Sequence, residues 1–251
     1  MNGRQVVASL AIALALLAAA PGSGAAPALS GITVGRMKVT IMPEYDTQQA
    51  LVILEGKFAD KGRFPAEVRF NLPAGVTKLT DACSLSPEGH HFCQLFEIKS
   101  QGAGKVVDIK LPFSDFFIDY QYSPFIVAPG VERKFVHQVA PVYDIATLEI
   151  HVQKPLRITE FSVSPGWTAK YEKDGFEYYK YVYEGVKAGQ AKDISVAYSK
   201  GDTAPSVERR FSAMATPQMF SGRAGEMLLV VGALGLMAVW FLRRKAGGGA
   251  R

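Results

Sequence analysis

A two-residue periodicity is the feature that most restricts how this chain can fold. Between residues 31 and 200, apolar and polar side chains alternate in short runs, as at Val39 and Ile41, Val68 and Phe70, Leu148, Ile150 and Val152, and Ile194 and Val196. Clusters of Gly, Pro, Asn and Asp interrupt these runs roughly every ten residues. Successive side chains of a strand point to opposite faces, so this pattern suits strands buried on one side. No stretch in the segment keeps a helical period through three turns. The expected class is all-β, built as a β-sandwich.

The same segment carries an internal echo. Pro43-Glu44-Tyr45-Asp46, followed by Leu51-Val52-Ile53, matches Pro141-Val142-Tyr143-Asp144, followed by Leu148-Glu149-Ile150. Phe70 to Thr77 matches Phe161 to Thr168 through Pro73, Gly75 and Pro165, Gly166. Gly104 with Asp108-Ile109 matches Gly189 with Asp193-Ile194. Order is kept while the offset shrinks, as it would if only loops had changed length. The expectation is two tandem immunoglobulin-like units, residues 32–122 and 131–200, with one strand order and with Tyr45 over Tyr143 and Gly75 over Gly166. Ser123-Pro124 and Ala128-Pro129-Gly130 mark the joint. The second unit is small for an independent core, so the two are expected to pack together.

Both ends of the chain are apolar. Arg4, the run Val6–Ala20 and the small residues up to Ala25 have the three parts of a secretory signal, here assigned to residues 1–25. Met227–Leu242 is a second apolar run, closed by Arg243, Arg244 and Lys245. With the preceding interfacial residues, 225–242 reads as one transmembrane helix. The basic cluster keeps the tail 243–251 in the cytoplasm by the positive-inside rule, and a processed sorting tail shares this outline. Residues 201–224 are polar and aperiodic, and read as a flexible stalk. The expected address is the cytoplasmic (inner) membrane, single-pass, with the bulk of the chain periplasmic.

This topology also accounts for the charge. The formal net charge is +5, and Arg4, Arg243, Arg244, Lys245 and Arg251 supply all of it, leaving residues 31–242 neutral. The basicity marks membrane orientation and does not point to nucleic acid.

Cys83 and Cys93 are the two cysteines, and both fall in the exported part. They flank the turn Pro87-Glu88-Gly89 and are expected to form a disulfide in an oxidising compartment. The sharper alternative is a metal site with His90-His91. Adjacent strand residues point to opposite faces, however, so one histidine at most could join the cysteines. Tyr179, Tyr181 and Tyr183 share a strand face and form a possible ligand platform: a sugar-stacking surface if exposed, ordinary core if buried. Ile118, Tyr120 and Tyr122 form a similar row.

Catalytic patterns are poor. Asp115 and Asp119 share a face but lie ~13 Å apart along a strand, too far for a glycosidase pair. His151, with Glu149 and Gln153, reads as solvated surface. Nucleophile-elbow, zinc-protease and phosphate-loop motifs are missing from the sequence. The expectation is a non-enzyme without cofactor: a binding or scaffolding module for another envelope protein. The alternatives are a carbohydrate-binding module using the tyrosine row and a small metal-binding envelope protein.

Overall fold

The computed structural model describes residues 31–102 and 104–208. The chain forms β1 (Thr33–Pro43), β2 (Ala50–Phe58), β3 (Ala66–Leu72), β4 (Leu79–Leu85), β5 (His91–Cys93), β6 (Glu97–Gln101) and β7 (Gly104–Leu111). It continues through β8 (Asp115–Tyr122), β9 (Glu132–Val139), β10 (Asp144–Gln153), β11 (Ile158–Ser164), β12 (Ala169–Lys173), β13 (Phe176–Val186) and β14 (Lys192–Lys200). A single 3-10 turn, Lys61–Arg63, is the one helical element among the described residues. The all-β class is therefore correct. Among the described residues no helix is long and apolar enough to cross a membrane. The expected signal peptide, membrane helix and tail lie outside the described residues.

Eight strands make one mixed sheet in the order β12-β13-β10-β1-β2-β8-β4-β5. Two three-stranded sheets, β11-β14-β9 and β3-β7-β6, complete a sandwich-like arrangement. One hydrophobic cluster joins Val39, Ile41, Val52, Ile118, Ile150 and Tyr181 of the large sheet to Val107 and Ile109 of one small sheet and Ile194 and Val196 of the other. Alternation selects these residues: β9 reads exposed–buried throughout, and Ile118, Tyr120 and Tyr122 of β8 all point inward. The row on β8 is core.

Strand β1 is the seam. It pairs parallel with β10 (Val39 opposite Ile150) and antiparallel with β2 (Val39 opposite Leu54). The expectation of one strand order in both halves is corrected here. The matched anchors do sit alike, since β2 and β10 both lie in the large sheet while β3 and β11 each enter a small one. But β1 belongs to the large sheet, whereas its counterpart β9 pairs with β14. The partner of β2 is β8, which follows β7 in the chain; the partner of β10 is β13, which precedes β14. Pairing β1 on both sides buries its backbone polar groups in ladders and fuses the halves into one sheet.

A bulge between Val34 and Arg36 puts both Val34 and Met37 inside, breaking the two-residue period. Opposite this irregular stretch sits Gly56. A Cβ there would lie 2.4 Å from Cζ of Phe116 and 2.8 Å from the carbonyl oxygen of Arg36. Phe116 is itself core, so neither neighbour can yield freely. Gly56→Ala is expected to destabilise by about 1–3 kcal/mol through overpacking. A urea midpoint equal to that of the parent would contradict this.

The expected stalk does not begin at residue 201. Residues 201–208 are tied to the sandwich: the amides of Ser206 and Val207 donate to the carbonyls of Glu44 and Tyr45 at 2.6 and 2.8 Å. Ser206 Oγ accepts from the Leu156 amide at 3.0 Å, and Arg157 donates to the carbonyls of Ala204 and Pro205. Polar composition alone misread this segment because its backbone, and not an apolar face, makes the attachment.

Candidate interaction surface

The hairpin of β4 and β5, with the turn that follows it, carries an exposed apolar surface. Its turn closes through the Gly89 amide on the Ser86 carbonyl (2.9 Å) and the Ser86 amide on the His90 carbonyl (3.0 Å). Gly89 has φ +84°, a left-handed conformation that favours glycine. This register sets Cys83 directly opposite Cys93, and the two form a disulfide. By the chain-entropy argument, closing so short a loop stabilises by roughly 3 kcal/mol. The chain then turns away, with the Gln94 amide on the Ala82 carbonyl at 2.8 Å. Phe92, Leu95 and Phe96 are left 45%, 99% and 36% exposed. Phe92 packs on Phe113 at 5.4 Å between ring centroids, which fixes one wall of the patch. Asp81 and Glu88 on the same hairpin are exposed, and exposed Glu97 pairs with Lys99 at 3.7 Å. The cysteines signalled the staple, but three apolar residues outside a regular run gave no signal that they would face solvent.

The metal reading meets a chemical obstacle. Asp81, Cys83 and Cys93 bring ligand-type atoms within 4.8 Å of one another, but both sulfurs are spent on the disulfide. His90 and His91 are exposed, and the His91 ring lies against Phe117 at 5.4 Å. Asp115 and Asp119 are engaged separately. Asp115 pairs with Lys57 at 3.1 Å, and Asp119 accepts from the Asp81 amide at 2.6 Å. Burial raises the Asp119 carboxyl to about 6, and neighbouring Asp81 adds to the effect.

The tyrosine row is not an exposed platform. Tyr181 is 1% exposed and belongs to the core, while Tyr179 and Tyr183 are half-buried against the same cluster. Tyr179 meets Phe161 at 5.1 Å in a tilted arrangement and Trp167 at 5.8 Å edge-on. The row faces inward because β13 lies between β10 and β12 with the small sheet of β11 opposite.

The reading of His151, Glu149 and Gln153 as solvated surface is also corrected. They are 7%, 8% and 1% exposed. Arg36 and Lys180 reach over Glu149 at 3.0 and 3.1 Å, and His151 Nε2 lies 3.2 Å from the same carboxylate. His151 Nδ1 meets the Tyr171 hydroxyl at 2.7 Å, while Gln153 donates to the Tyr178 hydroxyl at 2.7 Å. Burial pushes the Glu149 carboxyl up, but hydrogen bonds from His151, Lys180 and Arg36 outweigh it and hold the group at about 2. This network links β1, β10, β12 and β13. Strand alternation alone could not reveal that long neighbouring side chains cover it.

No family model matches the chain, and neither does any curated protein. Among solved structures it is similar to one named for a protease of Parabacteroides distasonis, with TM-score 0.40, 8% identity, and coverage of 68% of this chain and 41% of that one. It is also similar to an M1 zinc metallopeptidase of Deinococcus radiodurans, with TM-score 0.41, 12% identity, and coverage of 66% and 42%. The chain thus spans about two fifths of the length of these proteins. Such distant likeness assigns no activity to it.

A second polar group joins the sheets from inside. Glu44, Arg133 and Lys200 have fully buried side chains. Tyr198 donates to Glu44 Oε2 at 2.8 Å, Arg133 Nε lies 3.3 Å from that oxygen, and Lys200 Nζ lies 3.7 Å from Oε1. Arg133 also donates to the carbonyls of Val131, Lys200 and Asp202, and Lys200 donates to that of Ala204. The attached segment 201–208 therefore supplies acceptors to buried cations.

Proposed function

We propose that this chain is a non-enzymatic binding or scaffolding module, held at the outer face of a cytoplasmic membrane, that docks another envelope protein. One observation carries the reading: Phe92, Leu95 and Phe96 present an apolar patch on a hairpin held rigid by Cys83–Cys93. Solvent-facing apolar residues on a constrained loop are characteristic of protein interfaces. Exposed Asp81 and Glu88 on the same hairpin favour a partner with an apolar centre and a basic residue at its border.

The proposal includes cleavage of residues 1–25, an anchor at 225–242 oriented by Arg243, Arg244 and Lys245, and a periplasmic address; the charge asymmetry of the apolar ends supports these. It also includes a common immunoglobulin-like origin for the two halves. Support comes from Tyr45 and Tyr143 each preceding a large-sheet strand, with Gly75 and Gly166 each following a small-sheet strand.

Photocrosslinking of the full chain in its native membrane tests the docking claim. A photoreactive residue at Leu95 is expected to give one discrete protein adduct, lost on Phe92→Ser, while the same probe at exposed Lys134 on β9 gives none. Adducts confined to lipid, or a saturable glycan ligand with no protein adduct, would overturn the reading.

A further inference from the structure

We infer that the edge of β11 is a self-association surface, on which a second copy of this chain adds its own β11 antiparallel to the first. The surface is separate from the stapled hairpin and does not depend on the docking proposed there.

Most sheet edges of this fold are protected. Native proteins blunt open edges with charge, short length, bulges or cover, because an unpaired row of N–H and C=O groups templates another strand. Strand β5 has three residues, and β6 and β12 carry Glu97 and Lys99, and Lys170, Glu172 and Lys173. Strand β9 presents Glu132 and Lys134 outward. On β3 the Arg69 amide is taken by the Tyr143 hydroxyl at 2.8 Å. Strand β11 differs: it pairs with β14 on one side, and on the other no described residue hydrogen-bonds to its backbone. A bulge between Ile158 and Glu160 protects its start, leaving Glu160-Phe161-Ser162-Val163-Ser164 regular, with a single charge and no proline.

This five-residue stretch is complementary to itself. Centred on Ser162, an antiparallel pair sets Phe161 against Val163 of the second copy on the inward face. Glu160 meets Ser164 and Ser162 meets Ser162 on the outward face. An aromatic residue against a β-branched one is a favourable cross-strand pair, and no like charges face each other. Phe161 and Val163 are half-buried at this flank, beside Tyr179 and half-exposed Trp167. Pairing would cover all four and extend the small sheet to six strands. Charge of both signs borders Tyr179, with Lys170 over its ring at 5.4 Å and paired to Glu177. Such a two-fold, self-complementary contact is the usual form of a homodimer interface.

The native cysteines are both disulfide-bonded, so one introduced thiol can be labelled alone. The full chain carrying Ser164→Cys, labelled with a nitroxide, is expected to show strong dipolar broadening that disappears on dilution with unlabelled chain. The same label through Ser100→Cys on β6 should show none. Ser162→Lys, exposed in the monomer and opposite itself in the pair, should weaken association by about tenfold or more through like-charge opposition. Leu95→Asp should leave the signal unchanged, which separates this surface from the hairpin. Absence of broadening from position 164 at concentrations approaching ~1 mM, broadening equal to that of the β6 control, or indifference of the labelled chain to Ser162→Lys would each overturn the inference.

Discussion

Glu44→Gln should lower the stability of the folded chain by about 3–5 kcal/mol, the cost of breaking a buried ion pair from one side. The carboxylate neutralises a pocket in which Arg133 and Lys200 have fully buried side chains. Without it Arg133 keeps only backbone carbonyls, and Lys200 keeps the Ala204 carbonyl and Asp202, 3.5 Å away and half in solvent. The backbone gives a sharper version of the test. Glu44 adopts φ +45°, a left-handed conformation that costs a non-glycine residue roughly 1–2 kcal/mol. Glu44→Gly relieves that strain while removing the same charge. If the carboxylate matters more than the strain, as the magnitudes require, glycine must still be net destabilising in a urea melt. A neutral or stabilising Glu44→Gly would show that the cluster does not hold the sandwich together.

How far the sequence disclosed this fold follows from what a two-residue period can report. It identifies strands and their alternating faces, so Ile194 and Val196 fall inside as expected, and of the two readings open for Ile118, Tyr120 and Tyr122 the core one holds. It is silent on which strand neighbours which. The parallel pairing of β1 with β10 joins residues more than a hundred positions apart, and nothing in either run's composition selects that partner. The differing strand order has the same source: anchors such as Tyr45 and Tyr143 mark loops beside similar strands, but connectivity is decided by pairing.

The surface was legible in part. Two cysteines around a Pro-Glu-Gly turn are a local signal, and they do form the staple. The buried charges were not legible, because Arg133 and His137 take inward places on β9, and Glu149 and His151 are covered on β10, where composition alone assigns such residues to water. Their burial depends on partners far along the chain: Glu44 for Arg133, Tyr122 for His137, and Arg36 with Lys180 for Glu149.

Acid should open this molecule through His137. The ring is buried on β9, with Nδ1 2.7 Å from the Tyr122 hydroxyl of β8, so it joins a small sheet to the large one. Burial lowers its pKa to about 4, against an ordinary value of 6.5. Between those values the unfolded chain holds a proton that the folded chain lacks, so stability rises with pH across the window. The contribution is fully present above about pH 6.5 and lost on acidification, by about 3 kcal/mol near pH 4. Asp119 works the other way. Its pKa is raised to about 6 from 3.8, so the folded chain binds the extra proton and gains stability as pH falls through that range. Being partly exposed, it offsets only part of the histidine effect. Glu149, held at about 2, adds a loss that begins only below about pH 4.5. Urea melts at pH 7 and pH 5 therefore leave Glu149 out and read His137 and Asp119 beside His151, whose pKa burial also lowers, so single variants separate them. The parent is expected to be weaker at pH 5, His137→Gln should lose less between the two, and Asp119→Asn should lose more. Equal losses in the parent and His137→Gln, or a His137 titration near 6.5 in the folded state, would show that this ring is not what couples the sheets to pH.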